Sequence, residues 1–130
     1  MSHTAASFVA GPAPAYALDQ LRTVLFSAVL SDCLDQCGVT KQALPSRIRP
    51  LDLTSVMVGR ARTAAFMEVY HVADGVNPYE LEIALIDSLQ PGQIPVFACS
   101  NPARVAPWGE LLSTAAQVRG AAGALMDGCV

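Results

Sequence analysis

The chain has 130 residues, which is enough for one hydrophobic core and too few for two. Its hydrophobic fraction of 52% is high and its charged fraction of 15% is low for a soluble domain, so we expect an oligomer that buries apolar surface between subunits. The net charge of -3 and the scattered basic residues argue against direct nucleic-acid binding, and the longest N-terminal apolar stretch, 24–30, is too short to span a membrane.

The N-terminal part of the chain predicts an arm followed by two helices. Residues 1–16 are rich in Ala and Pro and lack the basic and apolar regions of a signal peptide, so we interpret them as a flexible arm of a cytoplasmic protein. The apolar spacing of residues 17–28 predicts an amphipathic helix. A second helix is predicted over 32–37, with Ser31 as its N-cap and Gly38 ending it in a left-handed conformation.

The middle of the chain predicts an extended connection, a strand and a helix. Two prolines within residues 44–53 favour a connection or an edge strand. Residues 56–64 alternate polar and small apolar side chains, which predicts a strand with a possible bulge at Gly59. Asn77 is then a predicted cap, in front of Pro78, for a helix that runs to about Leu89.

The C-terminal third predicts a strand, a helix and a second strand. The strands are predicted over 94–99 and 122–126, and the helix over 108–119 with its end at Gly120. This order favours an α/β class with a parallel βαβ unit, whose ligands bind beyond the carboxyl ends of the strands. The first helical turn around 109–112 should face that crevice, and its unpaired amides and positive dipole end favour a carboxylate or phosphate.

Three segments, in this order and spacing, resemble the RraA-like family, which includes regulators of ribonuclease E and 4-hydroxy-4-methyl-2-oxoglutarate aldolases. LSDCLDQCGV (30–39) is similar to the family's serine-aspartate-x-leucine-aspartate-x-x-glycine helix, and PGQI (91–94) to its proline-glycine-aspartate-valine turn. The most specific segment is WGELLSTAA (108–116), which continues through Arg119-Gly120 to Asp127-Gly128. The resemblance implies a β/β/α swivelling-type domain over residues 17–130, incomplete at its C-terminal side, assembled as a trimer or hexamer.

The resemblance also implies a binding site for a small 2-oxo acid. In the family's aldolases, the segment that matches Gly109, Glu110, Leu111 and Leu112 holds the carboxylate and keto oxygens of pyruvate through backbone amides. Glu110 is the candidate catalytic residue, either in proton transfer or by orienting water, although glutamate is also common in a first helical turn for dipole reasons.

The metal of the family is implied by resemblance alone. A divalent cation, usually Mg²⁺, is held there by the aspartate of an arginine-aspartate pair that directly follows the segment matching residues 127–130. The chain ends before that position, so no metal ligand is assigned and we expect this chain alone to be inactive. The leading hypothesis is a metal-dependent pyruvate aldolase with possible oxaloacetate decarboxylase activity, and the alternative is a non-catalytic regulator that binds and inhibits a ribonuclease. A degenerate or truncated product with neither activity is a third hypothesis.

Several other polar residues are interpreted as structural. Buried, reduced thiols are favoured over a metal site for the cysteines, including the Cys33 and Cys37 pair. His71 near Asp74 resembles a catalytic dyad but has no nucleophile nearby, and Trp108 is expected to pack rather than to stack on a ligand. An aspartate before glycine after a strand is more typical of a turn than of a substrate contact, so Asp127 is interpreted as a turn residue. Asp32 and Asp35 are expected to be solvated helix residues rather than paired catalytic carboxylates.

Overall fold

The computed structural model describes residues 18–130 of the chain, and the predicted arm at 1–16 lies outside them. The described elements are four helices, α1 (Leu18–Val24), α2 (Ser27–Gln36), α3 (Glu80–Asp87) and α4 (Glu110–Val118), and three strands, β1 (Arg60–Phe66), β2 (Gln93–Cys99) and β3 (Leu125–Asp127). None of these helices is long and apolar enough to cross a membrane.

The three described strands form one parallel sheet in the order β1-β2-β3. Ala64 pairs with Phe97 in the first ladder, and Phe97 pairs with Met126 in the second. Since α3 connects β1 to β2 and α4 connects β2 to β3, both are crossover helices. The predicted α/β class and the parallel βαβ unit near the C-terminus are therefore confirmed.

The core lies between the sheet and the two crossover helices. Phe97 in β2 is completely buried and packs with Ile86, Leu89 and Ala116. Phe66 lies against the Phe97 ring at a centroid distance of 4.8 Å. This arrangement places α3 and α4 on the same face of the sheet.

The N-terminal helices differ from the prediction. The helix predicted over 17–28 ends at Val24, and α2 begins at Ser27 because Phe26 is extended, with φ -139° and ψ 162°. The Ser31 cap was wrong: Ser31 lies inside α2, and its hydroxyl donates to the side chain of Gln42 instead. Gly38 does end the helix with φ +75°, as predicted.

The central elements begin later than predicted. Residues 44–53 form a connection without a strand, and β1 starts at Arg60 rather than at residue 56. Gly59 precedes the strand instead of forming a bulge in it: a Cβ there would lie 2.6 Å from the Gly92 carbonyl oxygen, so a close backbone approach explains the glycine. Asn77 accepts a bond from the Tyr79 N–H at 3.0 Å, but the cap residue of α3 is Tyr79, and the helix ends at Asp87.

Many large apolar side chains stay exposed in the described part of the chain. Leu51, Leu53, Leu81 and Val118 are each more than 80% exposed. Exposed apolar side chains of this kind are typical of surfaces that contact another subunit or protein. The structure is that of a single chain, so the oligomer stays a prediction.

Candidate functional site at the carboxyl edge of the sheet

The three strands end at one edge of the sheet because all of them are parallel. Phe66, Cys99 and Asp127 are their last residues. The loop that leaves β2 returns to the sheet through α4, so the amino end of α4 lies on the carboxyl-edge side of the sheet. The fold therefore brings together the strand ends and the helix start that the sequence predicted.

Helix α4 begins without a side-chain cap. Its cap residue, Gly109, is extended, and the first bonded amide is Ser113, which donates to the Gly109 carbonyl oxygen at 3.0 Å. The amides of Glu110, Leu111 and Leu112 precede this bond and have no intrahelical acceptor. A Cβ built on Gly109 would meet nothing within 4 Å, so the cap position itself is free of neighbouring atoms.

Trp108 and Ser113 fix the direction in which α4 starts. The Trp108 ring packs edge-on against Phe97, with centroids 5.6 Å apart and planes at 71°. Its Nε1–H donates to the Ser113 Oγ at 2.8 Å, and that hydroxyl donates to the Gly109 carbonyl oxygen at 2.9 Å. The core thus determines where the open amides lie, and the predicted packing role of Trp108 is confirmed.

The side chains of the predicted site residues point to different surroundings. Leu112 packs against the core, whereas Leu111 is 86% exposed. Glu110 is exposed, and its carboxylate makes no hydrogen bond or ion pair within residues 18–130. A carboxylate in the first turn also complements the helix dipole, so a catalytic role for Glu110 stays a prediction.

An ion pair between Arg47 and Asp127 was missed by the sequence reasoning. The Arg47 Nε lies 2.6 Å from the Asp127 Oδ1, and its Nη2 lies 2.9 Å from Oδ2, so the guanidinium grips both oxygens. This hydrogen bonding lowers the pKa of Asp127 below its usual range. The two residues are 80 positions apart, and no local pattern signals such a pair.

A second polar cluster lies at the ends of β1 and β2. The Glu68 carboxylate accepts a hydrogen bond from Asn101 Nδ2 at 3.2 Å, and Arg104 lies 3.8 Å from its other oxygen. The Ser100 hydroxyl accepts a bond from the Glu68 amide at 3.3 Å. The cluster joins the two strand ends, and the sequence reasoning did not identify it.

Gly128 lies where the β2–α4 loop crosses the end of β3. A Cβ on Gly128 would lie 2.9 Å from the Cys99 Sγ, 2.9 Å from the Val105 carbonyl oxygen and 3.0 Å from Pro107 Cδ. The next residue, Cys129, donates its amide to the same Val105 oxygen at 2.9 Å. The loop that precedes α4 is therefore packed directly on the segment that follows β3.

The four cysteines are free thiols, as predicted, but their predicted burial was wrong for three of them. Cys99 alone is buried, while Cys33, Cys37 and Cys129 are exposed. Burial, reinforced by the negative charge of Asp127, raises the pKa of the Cys99 thiol. Cys33 in α2 and Cys37 at the C-terminal cap of that helix are both solvent-exposed, which the apolar character of the residue type did not reveal.

The remaining predicted polar residues keep their structural interpretation. His71 and Asp74 are exposed, as are Asp32 and Asp35. Asp35 accepts a hydrogen bond from Gln42. None of these four residues lies in a hydrogen-bonded catalytic arrangement in the described part of the chain.

The described residues do not fit a metal site. No group of three or more His, Cys, Asp and Glu side chains that could hold a metal ion occurs within 18–130. Of the carboxylates at the carboxyl edge, Asp127 is neutralised by Arg47 and Glu68 is held by Asn101 and Arg104. The divalent metal therefore rests on family resemblance, and no step of a reaction is assigned to it.

Two grooves occur in the described part of the chain, and neither is lined by Glu110, Leu111 or Leu112. One, of about 440 Å³, lies between β1 and α3 and is lined by residues including Arg62, Leu81 and Ser88. The other, of about 300 Å³, follows the side of α4 from Trp108 to Gln117. The second groove begins at Trp108 and Ser113, which lie on either side of the open amides in the chain.

Comparison with known proteins gives one family match and one structural match. A family model described as RraA-like, Aldolase/RraA, matches residues 27–130. No curated protein matches the chain. A solved structure described as novel cellulases from microbes associated with the gut ecosystem aligns with a TM-score of 0.76 and 23% identity, covering 94% of this chain and 54% of that one. This likeness shows the fold alone, and the chain spans about half the length of that structure.

Proposed function

The chain belongs to the RraA-like family, and we propose that its domain is a pyruvate aldolase of the metal-dependent type that binds a 2-oxo acid at the start of α4. The substrates we propose are 4-hydroxy-4-methyl-2-oxoglutarate and oxaloacetate, since aldol cleavage of the first and decarboxylation of the second pass through the same pyruvate enolate. The family contains both aldolases and ribonuclease E regulators, so membership alone does not choose between them.

The observation that carries the proposal is the uncapped start of α4. Three successive amides, those of Glu110, Leu111 and Leu112, come before the first helical hydrogen bond at Ser113. Amides arranged in this way bind carboxylates, and the positive end of the helix dipole adds to the attraction. Gly109 supports the same role because it adds no side chain at the cap, where a Cβ would meet no other atom within 4 Å.

Preorganisation is the contribution of this chain to the reaction. The amides are held by the backbone of α4 and by the packing of Trp108 on Phe97, so they need not reorganise when negative charge develops on the keto oxygen. Donors directed at a developing enolate oxygen stabilise the transition state more than the ground state. The exposed Glu110 carboxylate is placed beside these donors in sequence, where it would move a proton to or from the bound acid or its water.

Substitution of Gly109 by aspartate tests the binding site. The new carboxylate would cap the amides itself and repel a bound acid, so Gly109→Asp should stabilise the fold by up to about 1 kcal/mol while weakening oxalate binding at least about tenfold. Tyr79→Asp is the matched control, since it places a carboxylate at the cap of α3, which also has no side-chain cap. Oxalate affinity measured by calorimetry should fall in the first variant only; an equal affinity in Gly109→Asp would contradict the proposal.

Turnover distinguishes the aldolase from the regulator. The whole natural protein should release pyruvate from either substrate, as followed by coupled lactate dehydrogenase, and a chelator should abolish the release. If pyruvate is not released while the protein inhibits a ribonuclease, the regulator function replaces the aldolase. The exposed apolar side chains of the described surface would then be the contact surface for that enzyme.

A further inference from the structure

The segment that leaves β3 is attached to the rest of the edge at three successive residues. Asp127 is held by Arg47, Gly128 packs against the Val105 carbonyl oxygen and Pro107, and the Cys129 amide donates to Val105. Pro107 is buried and lies two residues before Gly109, the cap of α4. A continuous set of contacts therefore runs from Arg47 to the start of α4.

Arg47 is the member of this set that comes from elsewhere in the chain. It lies in the irregular connection between α2 and β1, where no ladder fixes the backbone. Its side chain is 54% exposed, whereas the Asp127 side chain is only 23% exposed. The guanidinium of Arg47 thus partly covers the Asp127 carboxylate at the point where β3 ends.

We propose that Arg47 is a positioning residue for the 2-oxo acid site: by gripping both oxygens of Asp127, it fixes the exit of β3, and the packed Gly128 passes that position to the loop that starts α4. This inference rests on the proposed function for its ligand, and it concerns the contacts rather than the reaction. Arg47 does not touch the open amides in this scheme. It determines where the backbone that carries them lies.

The planar fork is what the role requires. Lysine carries the same charge but cannot bond both carboxylate oxygens in a fixed plane. Arg47→Lys should therefore keep the neutralisation of Asp127 and lose the orientation. We expect it to weaken oxalate binding about three- to tenfold, because small displacements of positioned groups have effects of this order or larger.

A second ion pair in the fold supplies a matched control. Arg119 Nη2 lies 2.6 Å from the Asp87 Oδ1 and joins the C-terminal ends of α4 and α3, away from the carboxyl edge. Arg119→Gln removes an arginine–aspartate pair, in which the guanidinium bonds one carboxylate oxygen and the carbonyl oxygen of Asp87, without touching the proposed set of contacts. Oxalate affinity should be unchanged in this variant at a temperature where both proteins are folded.

A double variant separates positioning from simple charge repulsion. Arg47→Gln leaves an uncompensated Asp127 carboxylate near a site for anions, and that charge alone would weaken binding. The double variant Arg47→Gln/Asp127→Ala lacks the negative charge, but the chain that leaves β3 still has no contact with residue 47. If Arg47 acts by positioning, the double variant should still bind oxalate weakly. Recovery of the wild-type oxalate affinity would overturn the proposal.

Amide hydrogen exchange provides a readout that does not depend on the ligand. Arg47→Lys and Arg47→Gln should speed exchange of the Cys129 amide, whose bond to Val105 depends on the held exit, while Arg119→Gln should not. If the unsubstituted chain does not bind oxalate, the proposed function is wrong, and the exchange rates alone test the role of Arg47. Faster exchange of the Cys129 amide in the Arg47 variants supports that role, and unchanged exchange overturns it. Equal reductions of oxalate affinity in the Arg47 and Arg119 variants would also overturn the proposal.

Discussion

Replacement of Phe97 by alanine should remove most of the packing that joins the sheet to the start of α4. Phe97 is completely buried and contacts the rings of Phe66 and Trp108 at centroid distances of 4.8 and 5.6 Å. Truncation of a buried phenylalanine costs about 3–5 kcal/mol, and each aromatic pair contributes about 0.5–1.5 kcal/mol beyond area burial. Because the substitution removes both aromatic pairs, we expect a cost near the upper end, about 4–5 kcal/mol, which is a large part of the stability of a small domain.

Urea denaturation measures this cost, with the fluorescence of Trp108, the single tryptophan of the chain, as a local probe. Phe97→Leu is the milder variant if the alanine variant does not fold: it keeps most of the volume and should cost about 1–2 kcal/mol. Val118→Ala, at a side chain that is 82% exposed, should stay within about 0.5 kcal/mol of wild type. A Phe97→Ala cost below about 1 kcal/mol would refute the packing described for the core.

Three further predictions concern the carboxyl edge. Gly128→Ala should lower the free energy of unfolding by about 1–3 kcal/mol in urea denaturation, because its Cβ would collide with the Val105 carbonyl oxygen and the Cys99 sulfur; wild-type stability would contradict the close approach. In thiol labelling of the folded protein, Cys99 should react roughly tenfold or more slowly than the three exposed cysteines, since burial raises its pKa and blocks access, and four equal rates would be inconsistent with that burial. Asp127→Ala should destabilise the fold more at about pH 7 than at about pH 2. Because the pKa of Asp127 is lowered in the folded chain, its stabilising contribution is present above the unfolded pKa of about 3.9 and is lost as pH falls through the folded pKa. A loss of stability that does not depend on pH would refute this role of Asp127.

The sequence predicted the C-terminal half of the fold better than the N-terminal half. Strand β2 is a largely apolar run that follows Gly92, and helix α4 is an amphipathic segment that ends before Gly120. Both glycines have positive φ, so local rules are sufficient to place these two elements. The break at Phe26 has no such signal. It depends on an extended backbone conformation that no residue preference demands.

The site was predictable where it consists of backbone and unpredictable where it depends on distant contacts. The open amides of α4 follow from the helix start and the glycine at its cap, which the sequence displays. The Arg47–Asp127 pair joins residues 80 positions apart, and the Gly128 contact requires a loop to cross a strand end. Such contacts are consequences of tertiary packing, which propensity and periodicity do not encode.

The most direct test of the carboxylate site is an oxalate or pyruvate titration of the isotopically labelled chain, followed at individual backbone amides. We predict saturable shifts concentrated at Glu110, Leu111 and Leu112, the amides that precede the first bond of α4, and the loss of these shifts in Gly109→Asp. Shifts that are absent, or that appear elsewhere in the chain and persist in Gly109→Asp, would contradict a carboxylate site at the start of α4.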